Sequence, residues 1–295
     1  VDQVAHDLDA DPIALRRRWN PAPARERLLT WAEGLDVWRD RPAVGSQSGR
    51  IRRGVGLSCA TWIHVVCTDT RIAVDAESDG RIVASCASQD PGTGGRTVVA
   101  VSLAQALGIP RDRIEVRFGD SRFPIGPMSA GSQATTSLAP TAQDAAGKLV
   151  EEVMDRATHQ MGLVEAVYAD GVVRHAGGTV SLADVLEAGP RISVVGRRRR
   201  DEGGYAIPVG IDHYKLGRAF TQGVQLAEVE VDTRLGRTRV LRMWGGYAGG
   251  RIVVPKLARS QAQGGMLLGI GYALFEERRV CPTTGALLTA GLEDY

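Results

Sequence analysis

Apolar positions in the first 35 residues recur at helical spacing and predict two or three short helices. Asp11 followed by Pro12 marks one start, an N-cap with proline at the first helical position, and Leu15 and Trp19 then recur one turn apart. Residues 38–53 are mostly polar, with Gly45-Ser46-Gln47-Ser48-Gly49 as a flexible link. Beyond Gly54 the pattern shortens. Val65-Val66-Cys67, Ile72-Ala73-Val74 and Ile82-Val83-Ala84 are three-residue apolar runs divided by turn residues, which predict strands. A helix over 98–107, stopped by Gly108 and Pro110, precedes an alternating half-buried strand over 114–118. Ser132 opens a long helix to about Met154, with Leu138, Ala142, Ala145, Leu149 and Val153 on one face and a kink expected at Pro140. Residues 163–189 predict a small strand-and-helix unit. Residues 224–231 and 237–244 flank the hairpin signal Asp232-Thr233-Arg234-Leu235-Gly236, and Pro255 starts a last helix through Glu277.

Composition narrows the function classes. The chain has 295 residues, 43% hydrophobic and 24% charged, enough for a sizeable core and unlike a disordered chain. A net charge of +2 argues against a strongly basic nucleic-acid binder, and no apolar stretch reaches the ~18 residues of a membrane span. Cys59, Cys67, Cys86 and Cys281 form no C-x-x-C pair, so buried free thiols are expected rather than a zinc ribbon or an iron–sulfur cluster on this chain; no metal ligands are assigned. A reducing cytoplasm is the expected compartment, with the periplasm as the alternative. The chain begins without Met inside a helical pattern and ends at Tyr295 without a polar tail, so a piece of a larger protein is expected. The run Arg197-Arg198-Arg199-Arg200 reads as a solvated loop.

Three glycine-rich places carry candidate chemistry. Gly92-Thr93-Gly94-Gly95-Arg96-Thr97 lies between a strand and a helix. Its glycines permit positive φ and close approach, and the free amides of a helix start suit phosphate or pyrophosphate oxygens. A tight turn without ligand explains the same residues. A P-loop is excluded because no Lys stands at the helix start, and the short strands fit a dinucleotide-binding α/β fold poorly. Gly131-Ser132-Gln133-Ala134-Thr135-Thr136 is a second helix start with four donor side chains, of which N-capping explains one. The third is Ser260-Gln261-Ala262-Gln263-Gly264-Gly265, where Gly264, Gly265, Gly269 and Gly271 weaken a helix and imply close packing against a helix or ligand. No hydrolase constellation accompanies them. His6, His64, His159, His175 and His213 have no i,i+4 histidine partner, and Asp120 reads as a turn residue.

The runs 89–97, 119–132 (opening Gly119-Asp120-Ser121-Arg122-Phe123-Pro124) and 251–277 (with Ala258-Arg259-Ser260-Gln261 and Gly269-Ile270-Gly271) resemble, in order and spacing, the molybdenum-binding subunit of the xanthine dehydrogenase and aldehyde oxidase family, most of all its bacterial aldehyde oxidoreductase branch. The resemblance implies an α+β fold, a two-lobed molybdenum-cofactor-binding domain with mixed sheets and flanking helices. Residues 1–53 would be a helical lead-in and linker, 54–222 a first cofactor-binding lobe and 223–295 a second. It implies molybdopterin cytosine dinucleotide with molybdenum, held by Gly92, Thr93, Gly94, Gly95 and Thr97, by Gly131, Ser132, Gln133, Thr135 and Thr136, and by Gln261 near the pterin. It implies the cofactor-holding part of a hydroxylase that oxidises an aldehyde or N-heterocycle with water as oxygen source. Electrons would pass to an iron–sulfur subunit (2Fe–2S) and an FAD subunit, with the remainder of the large subunit as a further partner. No catalytic residue is assigned, because no G-x-G-E occurs and Glu276 and Glu277 do not match that motif. The family's Asp-Cys-Gly-Arg-x-x-Asn-Pro reads here as Ala248-Gly249-Gly250-Arg251-Ile252-Val253-Val254-Pro255. Its lost Asp and Asn leave a second expectation, a relative that keeps the fold as a binding or interaction module.

Overall fold

The computed structural model describes residues 1–19, 21–198, 204–206, 214–217 and 220–293. Four helices lead, α1 (Asp2–Asp7), α2 (Pro12–Trp19), α3 (Pro23–Glu33) and α4 (Asp36–Arg39). Asp11 caps α2 as the sequence predicts: its Oδ1 accepts from the amides of Ile13 and Ala14 at 2.9 and 2.8 Å. Strands β1 (Ile51–Trp62), β2 (Val65–Cys67), β3 (Arg71–Ala76) and β4 (Ile82–Cys86) precede α5 (Gly95–Leu107), β5 (Ile114–Phe118) and α6 (Ala134–Asp155). Then come β6 (Val167–Ala169), β7 (Val172–His175), β8 (Gly178–Ser181), α7 (Leu182–Glu187) and β9 (Ile192–Arg197). The chain continues through β10 (Gly204–Ala206), β11 (Tyr214–Gly217), β12 (Thr221–Asp232), β13 (Arg237–Ala248) and α8 (Pro255–Leu274). The last helix stops three residues short of the predicted Glu277.

The described residues form two compact units that interleave along the chain. One comprises residues 1–62, 221–250 and 258–295; the other comprises 63–220 and 251–257. This grouping differs from the expected segments 1–53, 54–222 and 223–295. The leading helices are no separate lead-in, because they share a core with a late hairpin. Ile13, Leu29, Ala32, Trp38, Leu57, Val224 and Leu226 bury one another. Long strands impose that arrangement: β1 pairs antiparallel with β12 from Ile51↔Asp232 to Trp62↔Thr221, and β12 turns into β13 at the predicted hairpin.

In the second unit a sheet of order β5-β4-β3-β9 carries α5 and α6 on its apolar face. Ile72, Ile82, Leu103, Leu107, Leu138 and Leu149 are fully buried there, each worth about 1.5–3 kcal/mol of transfer free energy. Strands β4 and β5 are parallel and joined through α5, whereas the other pairs of this sheet are antiparallel. A single strand–helix–strand crossover therefore sits in a mixed sheet, which fits the expected α+β class. Gly196 of β9 is obligatory: a Cβ would lie 2.3 Å from the Thr141 carbonyl of α6. The smaller sheet β6-β7-β8 is wholly antiparallel.

Helix α6 runs on through Pro140 without a break. Proline has no N–H for the carbonyl four residues back, that of Thr136. Arg198 supplies the missing donor, Nε to Thr136 O at 3.2 Å. Arg198 is 7% exposed. The solvated-loop reading of the arginine run is thus wrong for Arg198 and right in exposure for Arg197, while Arg199 and Arg200, like His213, lie outside the described residues. All four cysteines are free; Cys67 and Cys86 are buried, and Cys59 and Cys281 are partly exposed.

Candidate functional site

The first glycine bend leaves β4 and enters α5. Gly92 and Gly94 have φ of +106° and +87°, a region that L side chains avoid, so these positions need glycine. Asp90 organises the bend. Its Oδ1 accepts from the amides of Gly92 and Gly94 at 3.2 and 2.9 Å, and its Oδ2 from the amide of Arg96 at 3.0 Å. Burial raises the Asp90 pKa, but the three amides and the nearby Arg96 charge together hold it below the ordinary carboxylate value. This corrects one expectation. Several amides counted as free for a phosphate are spent on a carboxylate of the chain itself. Among the described residues the amides of Gly95 and Thr97, on the first turn of α5, have no protein acceptor.

Close approach at this bend is made by a neighbour. A Cβ on Gly94 would lie 2.3 Å from Leu257 Cδ1, and one on Gly95 would lie 3.2 Å from Phe118 and 3.6 Å from Leu138 of α6. Thr93 and Thr97 flank the bend, with Thr93 exposed.

The second bend is brought to the first by a short ladder. The amide of Ala87 donates to Pro124 O, Ser88 Oγ donates to Pro127 O, and Ser129 Oγ donates to Gln89 O, at 2.8, 2.8 and 2.6 Å. The exit of β4 and the loop 119–131 are thereby fastened side by side, just before Asp90 on one strand and Gly131 on the other. Gly126 is required in this seam, since a Cβ would meet Cys86 Sγ at 2.4 Å. Asp120 is the turn residue expected. It accepts from Arg122 and is held at about 2 by that side chain and its amide.

The polar residues at the start of α6 divide into different roles. Ser132 does not cap the helix: it is exposed with φ +56°, and Gln133 occupies the N-cap position without a side-chain cap bond. Thr136 Oγ1 donates to Val65 O or Gln133 O, at 3.0 and 2.9 Å, and Ser137 Oγ accepts from the amide of Cys67 at 3.0 Å. Thr136 thus ties α6 to β2. Thr135 is exposed beside Gly131 and Ser132. Gln133 is 2% exposed; its Nε2 donates to Ala130 O at 3.0 Å, and its Oε1 is buried with no protein donor. An unsatisfied buried amide oxygen is uncommon and marks a place that suits an N–H donor.

Gln261 is exposed in α8, one turn beyond Leu257, and falls in the other compact unit. The packing expected around its glycines is found only in part: among the described residues a Cβ on Gly264, Gly265 or Gly269 would meet nothing within 4 Å, whereas Gly271 is buried. Leu267, Leu268 and Tyr272 of the same helix are exposed. Glu277 pairs with Arg279 on the surface, and among the described residues no group of acidic, Cys and His side chains could hold a metal.

The chain is 29% identical, over 99% of its own length and 38% of the relative's, to the aldehyde oxidoreductase molybdenum-binding subunit PaoC of Escherichia coli O157:H7. It is 26% identical, over all of its length and 42% of the relative's, to the putative xanthine dehydrogenase molybdenum-binding subunit XdhA of Escherichia coli K12. Its fold matches CO dehydrogenase from Oligotropha carboxidovorans with a TM-score of 0.78 at 18% identity, over all of this chain and 41% of that one. The chain therefore spans about two fifths of the length of these relatives. Residues 32–295 match the family described as the molybdopterin cofactor-binding domain, and the chain belongs to that family.

Proposed function

We propose that the two bends of the β5-β4-β3-β9 unit hold the dinucleotide end of a molybdopterin cofactor. The observation that carries this is the ladder of Ala87, Ser88 and Gln89 with Pro124, Pro127 and Ser129, because it sets a glycine bend and a polar helix start side by side. The residues fit such a group in two ways. The amides of Gly95 and Thr97 at the start of α5 carry partial positive charge suited to phosphate oxygens. The buried Oε1 of Gln133 suits an exocyclic amine of a base or pterin, which a phosphate could not satisfy. Ser132 and Thr135 are exposed hydroxyl donors beside it, and Thr93 is one at the first bend. Gly131 and Ser132, both in left-handed conformation, shape the entry.

Asp90 sets the first bend by accepting three amides, which leaves those of Gly95 and Thr97 for a ligand. When bound, the molybdenum cofactor supplies oxidation of a C–H bond with water as oxygen source. The whole subunit would act on an aldehyde or N-heterocycle and pass electrons to iron–sulfur (2Fe–2S) and FAD subunits. The nucleotide would be the cytosine form, Gln261 would approach the pterin in the complete subunit, and the cytoplasm would be the compartment.

Replacing Gly94 by Asp tests the reading, since it adds charge and a side chain at φ +87° against Leu257. Molybdenum measured by mass spectrometry and CMP released by acid hydrolysis should both fall at least tenfold in a folded complex. Unchanged molybdenum and CMP overturn the site. A second reading, a binding module without chemistry, draws on Val254, which packs on the apolar core where the family has Asn. A coding sequence lacking a Gly-Glu motif downstream would favour it.

A further inference from the structure

A separate cleft opens on the unit built around β1, β12 and β13. It encloses about 820 Å³ and is lined by Arg16, Trp19, Arg25, Cys59 and Thr61 among others. Its two arginines differ in a way the sequence does not show. Arg16 has a carboxylate, Asp2 Oδ1 at 2.6 Å, and also donates to Pro12 O at 3.0 Å and to Leu57 O. Arg25 is only 5% exposed, yet its bonded partners are neutral: Nη2 donates to Thr61 Oγ1 and to Gln222 Oε1, both at 2.5 Å. The Thr61 hydroxyl donates to the same Gln222 oxygen at 3.1 Å, which closes the triangle. Arg25 Nε is buried without an acceptor, and among the described residues no carboxylate lies within 4 Å of this guanidinium.

A guanidinium remains charged at any physiological pH. Burying it against dipoles alone leaves a desolvation penalty that a counter-charge normally offsets. Asp2, the acidic residue of the cleft, is already engaged by Arg16 and by the amide of Leu57 at 3.2 Å. The cleft is therefore bordered by one buried positive charge without a carboxylate partner among the described residues, beside an exposed indole at Trp19. Planar guanidinium donors recognise carboxylate and phosphate better than a lysine does.

We propose that this cleft binds an oxyanion, a carboxylate or phosphate group, whose charge is taken by Arg25. The group could come from a free small anion or from an acidic side chain of the longer subunit. The chemistry is shared, so the test separates the sources. Inorganic phosphate is titrated at constant ionic strength into the 295-residue chain and into the complete subunit, and the heat and the change in total tryptophan emission are recorded. In the 295-residue chain a saturable response is expected, weakened at least tenfold by Arg25→Met and several-fold by Arg25→Lys. The lysine variant keeps the charge and serves if the methionine variant does not fold. Phosphate binding retained in the complete subunit assigns the site to free anions; binding lost there assigns it to a resident acidic side chain. A response no different from chloride, or one indifferent to both Arg25 variants, overturns the proposal.

Discussion

The two helix starts of the β5-β4-β3-β9 unit look alike as sequence and differ as structure. Each is a glycine followed by polar residues. At α5 the donors are backbone amides, and Asp90 of the same bend takes three of them. At α6 the side chains divide: Thr136 fastens the helix to β2, Ser132 and Thr135 face outward, and Gln133 is buried with an unsatisfied oxygen. Donors counted along a chain are therefore not donors offered to a ligand. What remains after the fold has used its share is an amide pair at one start and an amide oxygen at the other.

Removing the organiser of α5 should have the largest effect. Asp90→Ala strips three amides of a charged acceptor and is expected to lower stability by about 2–4 kcal/mol, measured by urea unfolding. Asp90→Asn should lie between, because its amide nitrogen faces the Arg96 N–H. An alanine variant as stable as the parent would show that the bend holds its shape without the carboxylate. The α6 side is tested next. Arg198→Met should cost about 1–3 kcal/mol by leaving the Thr136 carbonyl without its Nε donor, and Pro140→Ala, which restores the helix amide, should reduce that cost. Equal costs in both backgrounds would remove Arg198 from the account of Pro140.

Acid gives a third, smaller contrast. The folded pKa of Asp90 is depressed, so its contribution is fully present above the unfolded value near 3.8 and is lost as pH falls through the lower folded value. The parent should therefore lose more stability than Asp90→Asn as the pH falls below about 3.8. Parallel curves would refute the assignment. Least of all, Gly264→Ala should stabilise this chain by up to about 1 kcal/mol, since the added methyl meets open space and helix propensity rises. Destabilisation would reveal a neighbour on α8.

Legibility followed the range of the interactions. Residues 11–19 declared their helix through Asp11 and Pro12, and 232–236 declared their hairpin, because both signals are local. The domain division was not legible. The pairing of β1 with β12 joins residues about 170 apart and carries the leading helices with it. Arg198 looked like one of four solvated arginines, because its partner is a carbonyl orphaned 62 residues earlier. Asp90 stood in plain view next to the glycines, but only the folded bend shows that its carboxylate points back at its own amides.

By itself the amino-acid order determined most of the helices, the late hairpin, the glycines that need positive φ and the ordered motifs by which the family is recognised. These depend on φ preferences and on spacing within a few turns, which the chain carries locally. Tertiary structure alone decided which polar groups are consumed and which are left over, and where a buried charge goes without a counter-charge. Hydrogen-bond satisfaction and desolvation are set by neighbours that only folding brings within 3 Å.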